Sequence, residues 1–135
     1  MVDPRSALRR LQSQSGELAE LCRRHGVVLV SAFGSAVRGH GESADLDLAV
    51  LFDRDLDQRD ILGVIAELTD LVGLQQLDVT ILNGAGPVVR ERALVGAALL
   101  YESHPGVFAN EQIAAMLERM DTDWLRRSAL AGMTG

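Results

Sequence analysis

Phe33-Gly-Ser-Ala-Val-Arg-Gly-His-Gly-Glu-Ser-Ala-Asp-Leu-Asp-Leu-Ala-Val50 is the stretch on which the fold turns. It begins at the end of a β-branched apolar run, Val27 to Phe33, short and uniform enough to be a buried strand. A turn-rich loop follows from Gly34 to Ala44, with glycines at 34, 39 and 41. Asp45 to Phe52 then reads as a second strand with a strictly alternating polar start. Asp45 and Asp47 stand two residues apart, so both carboxylates leave one face while Leu46 and Leu48 face a core. Their Cα atoms are then roughly 7 Å apart, close enough for the side chains to converge on shared cations.

Working outward, Asp3-Pro4 is a helix start, with Asp as N-cap and Pro in the first turn. Leu8, Leu11, Leu18 and Leu21 recur on one helical face, although Gln12 to Gly16 weakens its middle. Arg23, Arg24 and His25 suit a helix C-terminus and Gly26 its stop. Asp57 begins a helix whose apolar face is Ile61, Val64, Ile65, Leu68, Leu71 and Val72, ended by Gly73. Leu77 to Asn83 is a third strand with Asp78 near its start. Pro87 opens a helix through about Val95, and Leu99 to Glu102 is a fourth strand. A last helix spans Val107 to Leu130 and carries Phe108, Met116, Leu117, Met120, Trp124 and Leu125; Met116, Met120 and Trp124 are expected first as core residues, with a partner-binding face as the secondary role. The order α-β-β-α-β-α-β-α predicts an α/β (α+β) fold, a small mixed sheet covered by helices.

The 135 residues carry no repeat, low-complexity tract or long linker, so one domain over 1-135 is expected. Hydrophobic residues make up 47% and charged residues 24%, a globular mixture, and with only 4% aromatics the core must be aliphatic. A formal net charge of -6 argues against direct nucleic-acid binding, which depends on basic groups neutralising phosphates. Phosphate chemistry stays open, because metal ions supply positive charge locally. The lone Cys22 excludes an internal disulfide and suits a reducing compartment. There is no signal-peptide pattern and no long apolar run, so a cytoplasmic protein without membrane attachment is expected.

Taken alone, Asp45-x-Asp47 fits two solvated acids at a strand end as well as a metal site. Two features shift that balance. Gly34-Ser35 follows the first strand, where glycine lets backbone approach phosphate and a hydroxyl donates to it. Asp78 opens a strand suited to bring a third carboxylate beside the pair. Such a set favours Mg²⁺, a hard ion that takes oxygen ligands and keeps substrate phosphates in its shell. Arg38 fits a phosphate contact and an exposed loop arginine equally well. His40, Glu42 and Ser43 are more simply solvated loop residues, His25 a helix-end charge and His104 a turn residue. Cys22 is more simply a small buried residue than a nucleophile, and the Arg23-Arg24 and Arg126-Arg127 pairs are solvated faces. No Cys or His spacing suggests zinc.

Gly34-Ser35, a nine-residue spacer from Ala36 to Ala44, Asp45-x-Asp47 on a strand and a later strand aspartate, Asp78, resemble the DNA polymerase beta-type nucleotidyltransferase superfamily. The spacer is one residue shorter than is common in small bacterial members. Within the superfamily the chain looks like the minimal nucleotidyltransferases, and specifically the MntA-type antitoxins, on the further strength of Leu77 to Asn83, Val89-Arg-Glu-Arg92 and Leu100-Tyr-Glu102. That resemblance implies a partner, a HEPN-domain ribonuclease toxin of the HepT kind, silenced by transfer of AMP from ATP to one of its tyrosines. It implies that Gly34 and Ser35 hold terminal phosphates, that Asp45 and Asp47 bind two Mg²⁺ ions, and that Asp78 binds the catalytic one. Two rival functions are transfer of AMP to a small molecule such as an aminoglycoside, and a non-catalytic module that neutralises a toxin by contact.

Overall fold

Asp3 caps the first helix as its sequence anticipates, accepting from the Ser6 backbone N–H at 2.8 Å. That helix, α1 (Pro4–Ser13), ends at Gln14, and α2 (Ser15–His25) starts again directly after it. The sequence predicts one helix here; the weak segment around Gln14 is instead a break, with Gln14 outside helical geometry at φ -104°, ψ 38°. The break lets two short apolar faces, Ala7/Leu8/Leu11 and Leu18/Leu21/Cys22, each turn onto the core. Gly26 ends α2 in the left-handed conformation. The computed structural model describes residues 3–39, 45–54, 57–73 and 77–134. His40, Gly41, Glu42, Ser43 and Ala44 of the anticipated loop lie outside them.

The strands are β1 (Val27–Phe33), β2 (Leu46–Phe52), β3 (Leu77–Ile81) and β4 (Ala98–Glu102). They form one mixed sheet in the order β3-β2-β1-β4. β1 runs antiparallel to β2 and to β4, while β2 and β3 are parallel and joined through α4 (Gln58–Val72). Asp57 and Asp60 close a reciprocal capping box at the start of α4. β3 is shorter than the sequence predicts because side-chain bonds replace the ladder at its end. Asn83 donates to the Phe52 carbonyl and accepts from the Phe52 N–H, at 3.0 and 2.9 Å.

Alternation along the strands divides the core in two. Val30, Ala32, Leu46, Leu48, Val50 and Phe52 pack with α1, α2 and α4. Leu29, Phe33 and Ala49 point the other way, toward α5 (Pro87–Leu94) and α6 (Val107–Thr134). Helices therefore cover both faces. Fully burying an aliphatic side chain of this kind stabilises by about 1.5–3 kcal/mol, and Leu18, Leu29, Leu46, Leu48, Leu68 and Leu82 are all buried this way.

On the second face, Ser31 Oγ donates to the Ala93 carbonyl at 2.9 Å in the interior, fixing α5 over the middle of β1. α6 is latched to α5 by Arg90 pairing with Glu111 and Glu118, and by Arg119 with Glu91 at 3.1 Å. The expectation for the rest of α6 does not hold. Met116, Leu117, Met120, Trp124 and Leu125 are exposed, Trp124 at 66%. The side of α6 turned to the body carries Glu111, Ala115, Glu118 and Arg119, which leaves Met116, Leu117 and Met120 on the side turned to solvent. Among the described residues no helix is long and apolar enough to cross a membrane.

Candidate active site

Asp47 lies where the two strand pairings meet. It is opposite Phe33 of β1 and opposite Asp78 of β3 in register. Because β2 and β3 are parallel and in step, Asp47 and Asp78 leave the sheet on one face, the face that also carries Phe33 and Ala49. Asp45 is in the bend just before β2 rather than on the strand itself. It still acts on Asp47: burial first, then Asp78, then Asp45 raise the Asp47 pKa above its ordinary value. Asp45 and Asp78 are exposed and Asp47 is half-buried.

The charge that opposes this repulsion comes from Arg92 of α5. A raised carboxyl pKa favours the fold most below the ordinary value of 3.8, and that contribution is lost as pH rises through the raised value. At neutral pH the ionised Asp47 carboxylate works against the fold. An oxygen-seeking divalent cation removes that penalty, so the chemistry of the donor set fits Mg²⁺. Among the described residues, no three acidic, histidine or cysteine side chains stand as a closed metal-ligand group. The three acids share a strand end and repel one another without enclosing a point between them.

Gly34 ties the first strand to these acids. It has φ +82°, and a Cβ there would lie 2.3 Å from Asp47 Oδ2. Only a glycine lets the backbone pass so close to the carboxylate. Gly34 leads into α3 (Ser35–Arg38), one helical turn within the stretch that the sequence predicts to be loop throughout. Ser35, its first residue, is half-buried, and Arg38, its last, is exposed. Gly34→Ala is expected to lower stability by about 1–3 kcal/mol, from the strained φ together with the contact. Chemical denaturation measures this; a variant as stable as the wild type would contradict the close approach.

Beside the acids is a cleft of ≈ 420 Å³. One wall is Phe33, Gly34, Val37 and Arg38, and the other is Val88, Glu91, Arg92, Val95 and Gly96. Arg38 belongs to this cleft, while Arg92 is the cation that acts on Asp47. In the sequence Arg92 stands out only as part of Val89-Arg-Glu-Arg92, with no role of its own. A signal is present there, since Val88, Glu91 and Arg92 fall on one helical face at i, i+3 and i+4, with Val95 just past the helix end. Which way that face points depends on Ala93 and Leu94 being buried against the sheet. Cys22 is far from chemistry: burial pushes its thiol up to about 12, which keeps it protonated and inert.

No curated protein matches the chain. Among solved structures, a toxin-antitoxin with AMP-PNP superposes with a TM-score of 0.69 at 17% identity, covering 90% of this chain and 99% of that one. A tri-AMPylated Shewanella oneidensis HEPN toxin in complex with MNT antitoxin gives 0.66 at 16% identity, covering 93% and 99%. These two likenesses are of fold. A protein proposed to be a minimal nucleotidyltransferase is 34% identical, with a TM-score of 0.56, over 67% of this chain and 92% of that one. The family model for polymerase beta nucleotidyltransferases matches residues 16–105, which span all four strands, Gly34-Ser35 and the three aspartates, and this chain belongs to that family.

Proposed function

We propose that this protein is an antitoxin enzyme that transfers AMP from Mg-ATP to a tyrosine of a HEPN-type ribonuclease toxin and thereby silences it. The observation that carries the chemistry is the register of Asp47 with Asp78, next to Asp45 and beneath Gly34. A tyrosine hydroxyl, pKa ~10, is a weak nucleophile at neutral pH. Two Mg²⁺ ions, when bound, lower the pKa of the attacking oxygen and steady the pyrophosphate leaving group. Asp45 and Asp47 are the ligands of both ions in this reading and Asp78 of the catalytic one. Asp78, the exposed acid beside the incoming hydroxyl, accepts its proton. Gly34 and Ser35 hold the terminal phosphates through backbone and hydroxyl donors, and Arg38 adds a charge-assisted bond.

The protein partner is supported by α6. Ile113, Met116, Leu117, Met120 and Trp124 form one exposed apolar row along it. Met and Trp in such a row are the side chains that anchor protein interfaces. Met120→Asp and Trp124→Asp are expected to weaken toxin binding about 10-fold or more, with the isolated fold changed by no more than about 0.5 kcal/mol. Surface-plasmon binding and melting curves measure the two effects. Unchanged toxin affinity in both variants counts against this face as the partner surface. The reaction itself is tested by mass spectrometry of the toxin after incubation with this protein and Mg-ATP. A toxin of unaltered mass overturns the enzymatic assignment.

A further inference from the structure

Val88 and Val89 of α5 and Val95 just beyond its end are 59%, 44% and 41% exposed, although Ala93 and Leu94 seat the helix on the sheet. Val88 and Val95 line the cleft, with Glu91 and Arg92 between them in the chain. Across the cleft stand Val37 and Arg38 of α3. Each wall thus pairs apolar surface with one guanidinium, the Glu91 carboxylate on the α5 side being paired with Arg119, and the cleft opens beside Asp47. Its ≈ 420 Å³ lies within the roughly 300–1,000 Å³ of small-molecule sites. Apolar surface suits a planar base and ribose, and a guanidinium fork suits phosphate oxygens. A ligand with both characters is a nucleotide. The wall of α5 is held rigidly enough to bind one, because Ala93 is bonded to Ser31 and its neighbours Arg90 and Glu91 are paired with α6.

We infer that Arg92 is a second phosphate-binding residue, closing with Arg38 from opposite walls on a nucleoside triphosphate whose base lies against Val37, Val88 and Val95. This rests on the nucleotidyltransferase reading above and extends it to the far wall of the cleft. Arg92 there offsets the charge that a triphosphate brings to an already acidic strand end. α5 is then a structural support for the sheet and a binding element at once. Lysine at this position keeps the charge but lacks the bidentate fork, so it substitutes only partly.

The test is binding, by isothermal titration of Mg-ATP and by NMR titration of adenosine, with wild type, Arg92→Ala, Arg92→Lys and Val88→Asp. Arg92→Ala is expected to weaken Mg-ATP about 10- to 100-fold, Arg92→Lys by less, and neither to alter adenosine binding. Val88→Asp is expected to weaken both ligands. If wild type binds Mg-ATP and Arg92→Ala binds it equally well, the inference is overturned while the proposed function stands. Equal loss of ATP and adenosine in Arg92→Ala also overturns it, because that result means general damage to the cleft. A wild-type protein that does not bind Mg-ATP at all overturns the proposed function, and this inference with it.

Discussion

Replacing Asp47 with Asn is expected to lower AMP transfer by on the order of 10³-fold or more while leaving the nucleotide-free fold as stable as the wild type or more so. The two effects have one physical origin. Asp47 is the carboxylate most enclosed by the strand end, with Asp45 and Asp78 acting on it and the Gly34 backbone above it. In the absence of cations its charge is disfavoured by burial first and by its two acidic neighbours next. Asparagine keeps the shape, removes the charge and relieves that repulsion. In the proposed reaction with Mg-ATP the sign reverses, since there the same charge would hold the ions in place, and several kcal/mol of stabilisation at the reacting phosphate would be lost with it. Transfer rates and melting temperatures at neutral pH read the two effects separately. Wild-type transfer by Asp47→Asn would falsify the assignment of this residue. Melting well below the wild type would show that the carboxylate gains more from its surroundings than burial and repulsion cost it. Because the stability gain requires Asp47 to be ionised, it should shrink as pH falls through the raised Asp47 pKa and vanish below 3.8.

The second large effect concerns how silencing is achieved. An enzyme present at much less than one molecule per toxin is expected to silence essentially all of it in the presence of Mg-ATP. The silence should persist after this protein is removed. A contact inhibitor needs at least matching amounts, and its toxin recovers on separation. Covalent modification makes physical sense for blocking RNA cleavage, because a transferred AMP carries a phosphodiester anion and a bulky nucleoside. Both exclude an RNA backbone from the modified surface, one by charge and one by volume. The experiment mixes substoichiometric protein, Mg-ATP and toxin, removes this protein, and assays ribonuclease activity and toxin mass. Full recovery of activity, with no added AMP, overturns the enzymatic assignment in favour of inhibition by contact. Persistent silence that is absent with Asp47→Asn supports it. The α6 row gives an independent control, since Met120→Asp and Trp124→Asp leave the acids untouched and are expected to slow silencing by weakening the encounter.

The apolar runs and their punctuation are enough to place all four strands and the main helices to within a few residues. Val27 to Phe33 has no polar side chain except Ser31, and a segment of that kind is driven into a sheet interior whatever surrounds it. Asp3-Pro4, Asp57, Gly26 and Gly73 act through their own backbone bonds and dihedrals, so the helix ends they mark depend on nothing distant. The short helix α3 and the break at Gln14 are harder to see, because one turn of helix and one non-helical residue leave no periodic trace. Long-range neighbours decide the rest. Met116, Met120 and Trp124 obey helical spacing as a core residue would, yet periodicity reports only that a face is apolar. Which side of α6 meets the body is set by distant partners: Glu111, Glu118 and Arg119 pair with α5 and Ala115 packs inward, which leaves the apolar row outside.

The candidate site divides in the same way. Gly34-Ser35, Asp45-x-Asp47 and Asp78 are legible because each is a local pattern on a strand or turn. Only the tertiary structure decided that Asp78 faces Asp47 in register, that Gly34 passes directly over the Asp47 carboxylate, and that Arg92 comes to the same place. Arg92 is forty-five positions beyond Asp47 in the chain, on a helix with polar and apolar residues on the same face. Nothing in its immediate neighbours says where that face will point. The answer comes from the buried hydrogen bond between Ser31 and Ala93 and from the seating of Leu94, which rotate α5 until Arg92 overlooks the acids. Local backbone chemistry and side-chain periodicity are written into consecutive residues and survive in the sequence. The meeting of charges from separate elements is set by packing, which no single stretch of the chain contains.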